Sequence, residues 1–387
     1  MPLILDIHAL QSLPPSLINR DDTGAPKSAV FGGVPRQRVS SQSWKRAIRR
    51  TFEEDFDPAM VGFRTKRVLD LVVDEIQEIG GEDAWPDDRA VSEASAVFKT
   101  LKIKLVDPKN APEDDELDDD HRRELAKTGY LLFLSKQQIH NIAQAVVDAD
   151  GEKIKKTDAK KLFNTDHSVD IAMFGRMVAD DADYNVDASV QVAHAIGVHA
   201  SEPEFDYFTA VDDLDEDEAE TGAGMIGTVQ MMSSTLYRYA NVSLDSLAEN
   251  LGDASAAVTA AEAFVDAFIK SMPTGKLNTF ANQTLPELVY VAVRDTRPVS
   301  LVNAFEEPVV AEQDEGRRAV AARRLAAEER EIEQQYGFVP VAAFLIGLGD
   351  LRKPFEELDA KATTLPELGG QLHEVLVREL SLEDEAR

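Results

Sequence analysis

The chain has 387 residues with a globular composition, 43% hydrophobic and 29% charged, and it contains no cysteine. This length exceeds what one core usually supports, which favours a core domain with insertions or two domains. The lack of cysteine excludes disulfides and thiolate metal sites. No apolar run approaches the ~18 residues needed to span a bilayer, and the opening residues MPLILDIHALQ lack a basic region. We therefore expect a cytoplasmic protein.

The charge of the chain is unevenly distributed. Its formal net charge is -30, which alone argues against nucleic acid, because phosphate binding depends on Lys and Arg. However, the first 50 residues carry eight basic and three acidic side chains, a net charge of +5, which leaves -35 for the rest. The basic ones are Arg20, Lys27, Arg36, Arg38, Lys45, Arg46, Arg49 and Arg50. A basic patch on an acidic body suits nucleic acid, but an ordinary surface helix fits the charge equally well.

The first half of the chain is predicted to open with a strand and continue into a helical region. Alternating apolar residues at 3–8 indicate the strand, and a loop follows over 12–33. Ser40 and Ser41 then precede a helical pattern, and serine is a good N-cap. Residues 61–164 show helical periodicity, clearest at 68–80 and 121–147, and the acidic run at 113–120 is interpreted as a solvated loop.

Strand and helix signals are mixed in the second half. Alternation predicts strands at 169–173, 190–198, 225–239, 288–293 and 299–302, and helical spacing predicts helices at 254–269, 311–336 and from 365 onward. An acidic segment without helical period occupies 202–220. Strands interrupted by a block of helices indicate an α+β domain with a helical insertion and one long excursion near 199–227.

The segment SSQSWKRAIRR, residues 40–50, separates charge from apolar surface when it is placed on a helix. At ~100° per residue, the residues Gln42, Lys45, Arg46, Arg49 and Arg50 fall within an arc of roughly 140°. The opposite side carries Trp44, Ala47, Ile48 and Thr51. The helix start adds backbone N–H groups and a positive dipole end, and no acidic residue occurs between positions 34 and 51. The pattern favours nucleic-acid contact without distinguishing RNA from DNA, and an amphipathic surface helix remains the alternative.

Several ordered blocks resemble those of the CasC-type backbone subunit of the type I-E CRISPR Cascade complex. They are N-R-D-D (19–22), F-G-G (31–33), R-V-S-S-Q-S-W-K-R-A (38–47), D-I-A-M-F-G-R-M (170–177), A-H-A-I (193–196), D-Y-F-T-A-V-D-D-L (206–214), Y-R-Y-A-N (237–241) and N-A-F-E (303–306). Each block is weak alone, but together they are specific. Residues 61–164 and the tail after 310 match poorly, and Val34 and Pro35 stand where such proteins often carry Lys or Arg.

This resemblance implies an RRM-like (ferredoxin-like) palm with a helical fingers insertion and an extended thumb loop. The expected boundaries are palm 1–60, fingers 61–165, palm 166–198, thumb 199–227, and palm with C-terminal helices 228–387. It also implies a non-catalytic protein without cofactors. Several copies would stack head to tail along one CRISPR RNA, beside other Cascade subunits and away from membranes. The exposed bases would then pair with target DNA.

The resemblance also implies thirteen RNA-binding residues. Phosphate contacts would come from Arg20, Lys27, Arg38, Ser40, Gln42, Lys45, Arg46 and Arg49. Arg176 and Met177 would lie at a displaced nucleotide, and Tyr207, Phe208 and Thr209 would lie in the thumb, where Phe208 would wedge against bases. The alternatives are a core methionine at Met177 and a hydrophobic anchor for the loop at Tyr207 and Phe208.

Two other functions remain open from the sequence. Backbone subunits of related CRISPR effectors can cleave RNA with a loop aspartate, for which Asp21 or Asp22 would be the candidate. Alternatively, the chain could oligomerise without binding RNA.

Three further sequence patterns do not predict a nucleotide-binding or metal-binding site. The G-x-G-x-x-G at 222–227 lacks the strand before it and the helix after it that a dinucleotide site needs. The acidic run at 212–218 fits no EF-hand. The seven histidines are scattered and form no metal-binding pattern.

Overall fold

The structure is a computed structural model that describes residues 2–55, 60–106, 125–210, 225–312 and 314–381. In chain order the strands are β1 (Ile4–Ser16), β2 (Ser28–Phe31), β3 (Val34–Val39), β4 (Phe63–Thr65), β5 (Leu105–Val106), β6 (Lys127–Thr128), β7 (Leu132–Leu134), β8 (Val190–Val192), β9 (Ala195–Gly197), β10 (Glu204–Ala210), β11 (Met225–Ser243), β12 (Leu288–Arg294), β13 (Ala342–Gly347) and β14 (Ala360–Ala362).

The helices of the described residues are α1 (Ser41–Asp55), α2 (Val68–Gly80), α3 (Asp87–Thr100), α4 (Lys136–Ala149), α5 (Lys156–Asn164), α6 (Val169–Phe174), α7 (Leu244–Leu251), α8 (Ala254–Lys270), α9 (Leu277–Phe280), α10 (Arg317–Tyr336) and α11 (Leu365–Glu379). Short 3₁₀ helices occupy Ala182–Tyr184, Val302–Phe305 and Gly349–Phe355. None of the helices in the described part of the chain is long and apolar enough to cross a membrane.

The chain divides into two compact units. We call Met1–Thr51, Gln191–Leu244 and Val258–Arg387 the palm unit, and Phe52–Val190 with Asp245–Ala257 the fingers unit. These boundaries differ from those expected, because residues 166–190 lie with the fingers and not with the palm. The mixture of one large sheet with a separate helical unit confirms the predicted α+β class.

The palm is built on a ten-stranded sheet with β1 near its centre. The order is β14-β13-β12-β1-β11-β9-β3-β2, and β8 and β10 also pair with β11. Strand β1 is antiparallel to both β11 and β12. Because both neighbours and the covering helices exclude water, β1 is buried on both faces over most of its length, including its polar residues Asp6 and His8.

An ion network holds the buried charge of β1. Arg294 on β12 donates from Nε to Asp6 at 2.9 Å and from Nη2 to Glu329 at 2.6 Å. Asp6 also accepts from the Tyr239 hydroxyl at 2.8 Å and from the Val299 amide at 3.0 Å. All three charged side chains are fully buried. Each would be costly to bury alone, so the loss of any one of them would destabilise the sheet.

The fingers unit has its own apolar core, which α2, α3, α4 and α5 enclose. Val72, Ile76, Phe98 and Ile142 are fully buried there. Helix α4 begins at a capping box in which Ser135 and Gln138 bond to each other's backbone N–H. Two small antiparallel sheets, β4 with β7 and β5 with β6, complete the unit.

Several local predictions were wrong. The loop predicted over 12–33 contains the end of β1 and all of β2. Residues 169–173 form helix α6 and not a strand, because the whole segment is buried and its period of two carries no information about faces. Residues 127–134, predicted as helix, hold strands β6 and β7. Residues 299–302 form no strand, since the Val299 amide binds Asp6 and not a neighbouring strand.

Candidate nucleic-acid interface

Ser40 fixes the start of the basic helix α1. Its hydroxyl accepts from the Ser43 amide at 3.3 Å, and its own amide donates to the Asn19 side chain at 2.9 Å. Ser40 is 6% exposed. The predicted N-cap is therefore confirmed, and the Ser40 hydroxyl lies mostly inside the protein and caps the helix.

Trp44 anchors the buried face of α1 against an arginine. Its ring lies 3.8 Å from the guanidinium carbon of Arg238, which also stacks on Phe268 at 4.4 Å. Arg238 is fully buried and donates to Gln11 Oε1 at 2.6 Å and to the Phe268 carbonyl. Burial lowers the pKa of Arg238 to about 9. With Ile48 also fully buried, this contact orients the helix on the palm.

The opposite face of α1 is polar and basic, as predicted, but its five residues differ in exposure. Gln42, Arg46 and Arg50 are exposed, whereas Lys45 and Arg49 are half-buried at the flanks. Burial lowers the pKa of the Lys45 amine. The outermost line of the helix is therefore the row Gln42, Arg46 and Arg50, spaced by four residues.

The loop before β2 is tied to the start of α1. Lys27 donates its amide to the Asn19 carbonyl at 2.9 Å, and Arg38 donates its amide to the Lys27 carbonyl at 2.9 Å. Arg20 is exposed, and Lys27 and Arg38 are half-buried. The structure thus brings Lys27, Arg38 and the start of α1 together, as the resemblance implied.

His194 stands at this junction and was not predicted to bind. Its Nδ1 lies 3.1 Å from Arg38 Nη1 and 3.3 Å from the Ser41 amide nitrogen. Burial, the charge of Arg38 and the charge of Lys27 lower the pKa of His194. The only sequence signal was its place in the A-H-A-I block, because isolated histidines are common.

Arg36 lies in the basic segment of the sequence, but its side chain is inside the protein and not on the basic surface. It is fully buried and donates to the carbonyls of Gly197 at 3.0 Å, Phe305 at 3.1 Å and Glu306 at 3.0 Å. The Glu306 carbonyl also crowds Gly32, where a Cβ atom would approach it to 1.6 Å. Arg36 therefore ties the β2–β3 hairpin to the palm and does not add to its surface charge.

Arg176 and Met177 lie in the fingers unit with different exposures. Arg176 is 4% exposed and donates to the carbonyls of Tyr184 at 2.9 Å and Phe163 at 3.0 Å. Its guanidinium is thus bonded within the fingers core, and its expected place at the RNA stays a prediction. Met177 is 79% exposed, so it is not the core methionine that the alternative required.

The thumb begins as a two-stranded ribbon and not as a loop. Strands β10 and β11 pair from Glu204 opposite Met231 to Ala210 opposite Met225. Residues 211–224 lie outside the described residues. They include the acidic run at 212–218 and the first two glycines of the G-x-G-x-x-G.

The ribbon presents aromatic side chains on both faces. Tyr207 is 63% exposed, and Phe205, which was not predicted, is 69% exposed on the same face. Phe208 points to the other face, where its ring covers Gly227 so closely that a Cβ atom there would lie 2.3 Å from it. Thr209 is exposed. Gly227 therefore provides the space for the Phe208 ring.

Metal binding has no candidate cluster in the part of the chain that is described. No three His, Asp or Glu side chains there are grouped so that they could hold an ion. Asp21 accepts at Oδ1 from the Thr23 amide at 2.9 Å, the Thr23 hydroxyl at 2.7 Å and the Ala25 amide at 3.0 Å. These bonds, the hydroxyl first, lower the pKa of Asp21, while Asp22 is exposed.

Comparisons with known proteins identify the family. The family model described as "CT1975-like protein" matches residues 5–371. This chain belongs to that family. Among solved structures, a chain titled "CRISPR RNA-guided surveillance complex, pre-nicking" is 33% identical, with a TM-score of 0.77, and the match covers 96% of this chain and 100% of that one. Another, titled "CRISPR RNA-guided surveillance complex", is 28% identical with a TM-score of 0.68, over 95% of this chain and 99% of that one. No curated protein matches.

These matches confirm the predicted fold class, an RRM-like palm with a helical insertion and a thumb. The matches also cover residues 61–164 and most of the chain after 310, where the sequence blocks match poorly.

Proposed function

We propose that this chain is a non-catalytic backbone subunit that oligomerises along CRISPR RNA in a type I-E Cascade complex and presents the guide to target DNA. The observation that carries the proposal is the junction at the start of α1. Arg38 lies there beside the first amide of a helix whose exposed face carries Gln42 and Arg46, on a chain of net charge -30. Cations and helix N-termini both favour phosphate. The two similar solved structures are of RNA-guided surveillance complexes, which supports RNA as the ligand.

The thumb ribbon and Met177 support the second half of the proposal. The aromatic rings of the ribbon and the flexible side chain of Met177 expose apolar surface to water. Such side chains can stack against bases of any identity. Phe205, Tyr207 and Phe208 would separate bases in the thumb, and Met177 would do so from the fingers. The bases between them would remain available for pairing with DNA.

The test reverses charge on the outer row of α1. Arg46→Glu with Arg50→Glu should abolish co-purification of RNA with the full chain and leave its thermal unfolding unchanged, because both side chains are exposed. Lys45 and Arg49 are poorer targets, since they are half-buried and their reversal would also disturb the helix. The matched control is Arg297→Glu with Lys361→Glu, which changes the net charge equally at exposed positions outside the site. Equal RNA loss in both double variants would show that total charge, and not this helix, retains the RNA.

The absence of catalysis is tested separately. Asp21 already accepts three hydrogen bonds that shape its turn, which supports a structural role for that carboxylate. The chain assembled on guide RNA should leave complementary RNA intact in the presence of Mg²⁺. Regularly spaced cleavage products that disappear in Asp22→Asn would instead make the protein an endoribonuclease.

A further inference from the structure

His194 directly precedes β9, which lies between β11 and β3 in the palm sheet. On one side of it the Ala193 amide donates to the Tyr239 carbonyl at 2.9 Å, and on the other side Ala195 pairs with Val39 of β3. The backbone on both sides is therefore fixed, yet the ring itself is exposed. This places the imidazole beside the turn from β3 into α1, facing solvent.

Two donors converge on one atom of this ring. Arg38 Nη1 and the Ser41 amide nitrogen lie 3.1 and 3.3 Å from His194 Nδ1. Both groups can only donate, so Nδ1 is the acceptor and the proton of the neutral ring is on Nε2. An sp² nitrogen has a single lone pair, which these donors must share. Each therefore keeps capacity for a stronger acceptor, such as an anionic oxygen.

We propose that His194 is a positioning residue for RNA phosphate, which holds the Arg38 guanidinium next to the first N–H of α1. This inference rests on the proposed function. A phosphate oxygen that approaches the junction would meet a cation and a helix N–H already side by side. Ordering an arginine beforehand removes a cost that otherwise weakens binding about three- to tenfold. The Nε2–H remains available as a further donor.

The first experiment compares three substitutions of His194 in the full chain, with a labelled single-stranded RNA as the probe. His194→Asn keeps an acceptor, Oδ1, at the same number of bonds from Cα as Nδ1, whereas His194→Gln places its oxygen one bond farther. We expect His194→Ala and His194→Gln to weaken binding about three- to tenfold and His194→Asn to retain binding within about twofold. Equal loss in all three variants, or no loss in any, would overturn the proposal. Thermal unfolding shows whether a variant is folded.

The second experiment asks whether His194 acts through Arg38. In an Arg38→Ala background, His194→Ala should add less than about twofold further loss, since the residue that it positions is gone. Independent, multiplicative losses would instead mean that His194 contacts RNA by itself. If the unchanged protein fails to bind the probe, the proposed function fails. If it binds and loses binding only in the Arg46 and Arg50 variant, only the role of His194 fails.

Discussion

The interior of the palm and the surface at the start of α1 both contain arginines, but the two groups differ in burial and in hydrogen-bond partners. Arg36, Arg238 and Arg294 are fully buried, and each guanidinium bonds to fixed acceptors. Arg46 and Arg50 are exposed on α1, in a segment without acidic side chains from position 34 to 51. Interior arginines thus bring strand, hairpin and helix together, and surface arginines leave their bonding capacity to a ligand. Net charge alone does not distinguish the two groups, because removal of either changes it equally.

The largest expected effect follows from the removal of an interior arginine. Arg294→Met would leave Asp6 and Glu329 buried without their cation, and breaking a buried pair in this way costs about 3–5 kcal/mol. Urea unfolding of the full chain should show that loss in the free energy of unfolding. Arg297→Met, an exposed neighbour in sequence, should change it by less than about 0.5 kcal/mol. A small effect at Arg294 would mean that the two carboxyls do not depend on this cation in the folded protein.

The β2–β3 hairpin should be the next most sensitive place. Gly32→Ala would put a Cβ atom 1.6 Å from the Glu306 carbonyl that accepts from Arg36, at a φ of +57°. We expect a loss of about 3 kcal/mol, from the strained backbone and a displaced charged hydrogen bond. Gly33→Ala is the matched control, because φ is +77° there but no atom lies within 4 Å. It should cost about 1 kcal/mol. Similar losses in both variants would show that backbone strain, and not the Arg36 contact, dominates.

A surface arginine should change binding and not stability. For single strands, each phosphate contact contributes about 0.7 to the slope of log affinity against log salt concentration. Arg46→Ala should lower that slope by about this amount and leave the unfolding curve in place. An unchanged slope with weaker binding would indicate that Arg46 supports the helix and does not touch phosphate. Titration of RNA at several salt concentrations measures both quantities.

Only a small effect on folding is expected in the thumb. Phe208→Ala should cost less than about 1 kcal/mol of stability, since the side chain is 39% exposed and its ring covers Gly227, which has no side chain. It should nevertheless weaken assembly of several copies on one RNA, as seen by analytical ultracentrifugation. Tyr207→Ala, on the other face, tells whether one or both faces take part. An unfolded Phe208 variant would support the hydrophobic-anchor interpretation instead.

The sequence predicted those features that local patterns determine. The start of α1, the side on which Trp44 and Ile48 are buried, and strands β1, β11 and β12 all follow from periodicity and capping. Patterns failed where a segment is buried all round, as in α6, because a period then no longer marks a face. They also failed for Arg176, which bonds to backbone carbonyls within its own unit, and for Arg36, whose acceptors include backbone carbonyls more than 150 residues away. His194 was missed for the same reason, since its partners lie more than 150 residues away.

Strand β11 is continuous across the change from palm to thumb. Its Met232 pairs with Ser16 of β1, and the adjacent Met231 already pairs with Glu204 of β10. Side chains alternate along a strand, so one added residue at this point would rotate the outer half of β11 by half a turn. Phe208 of β10 would then lie opposite Thr228 and no longer opposite Gly227, which provides the space for its ring. The residue count of β11 thus keeps Gly227 opposite the Phe208 ring, so we expect related chains to vary in length between residues 210 and 225 and not within the strand.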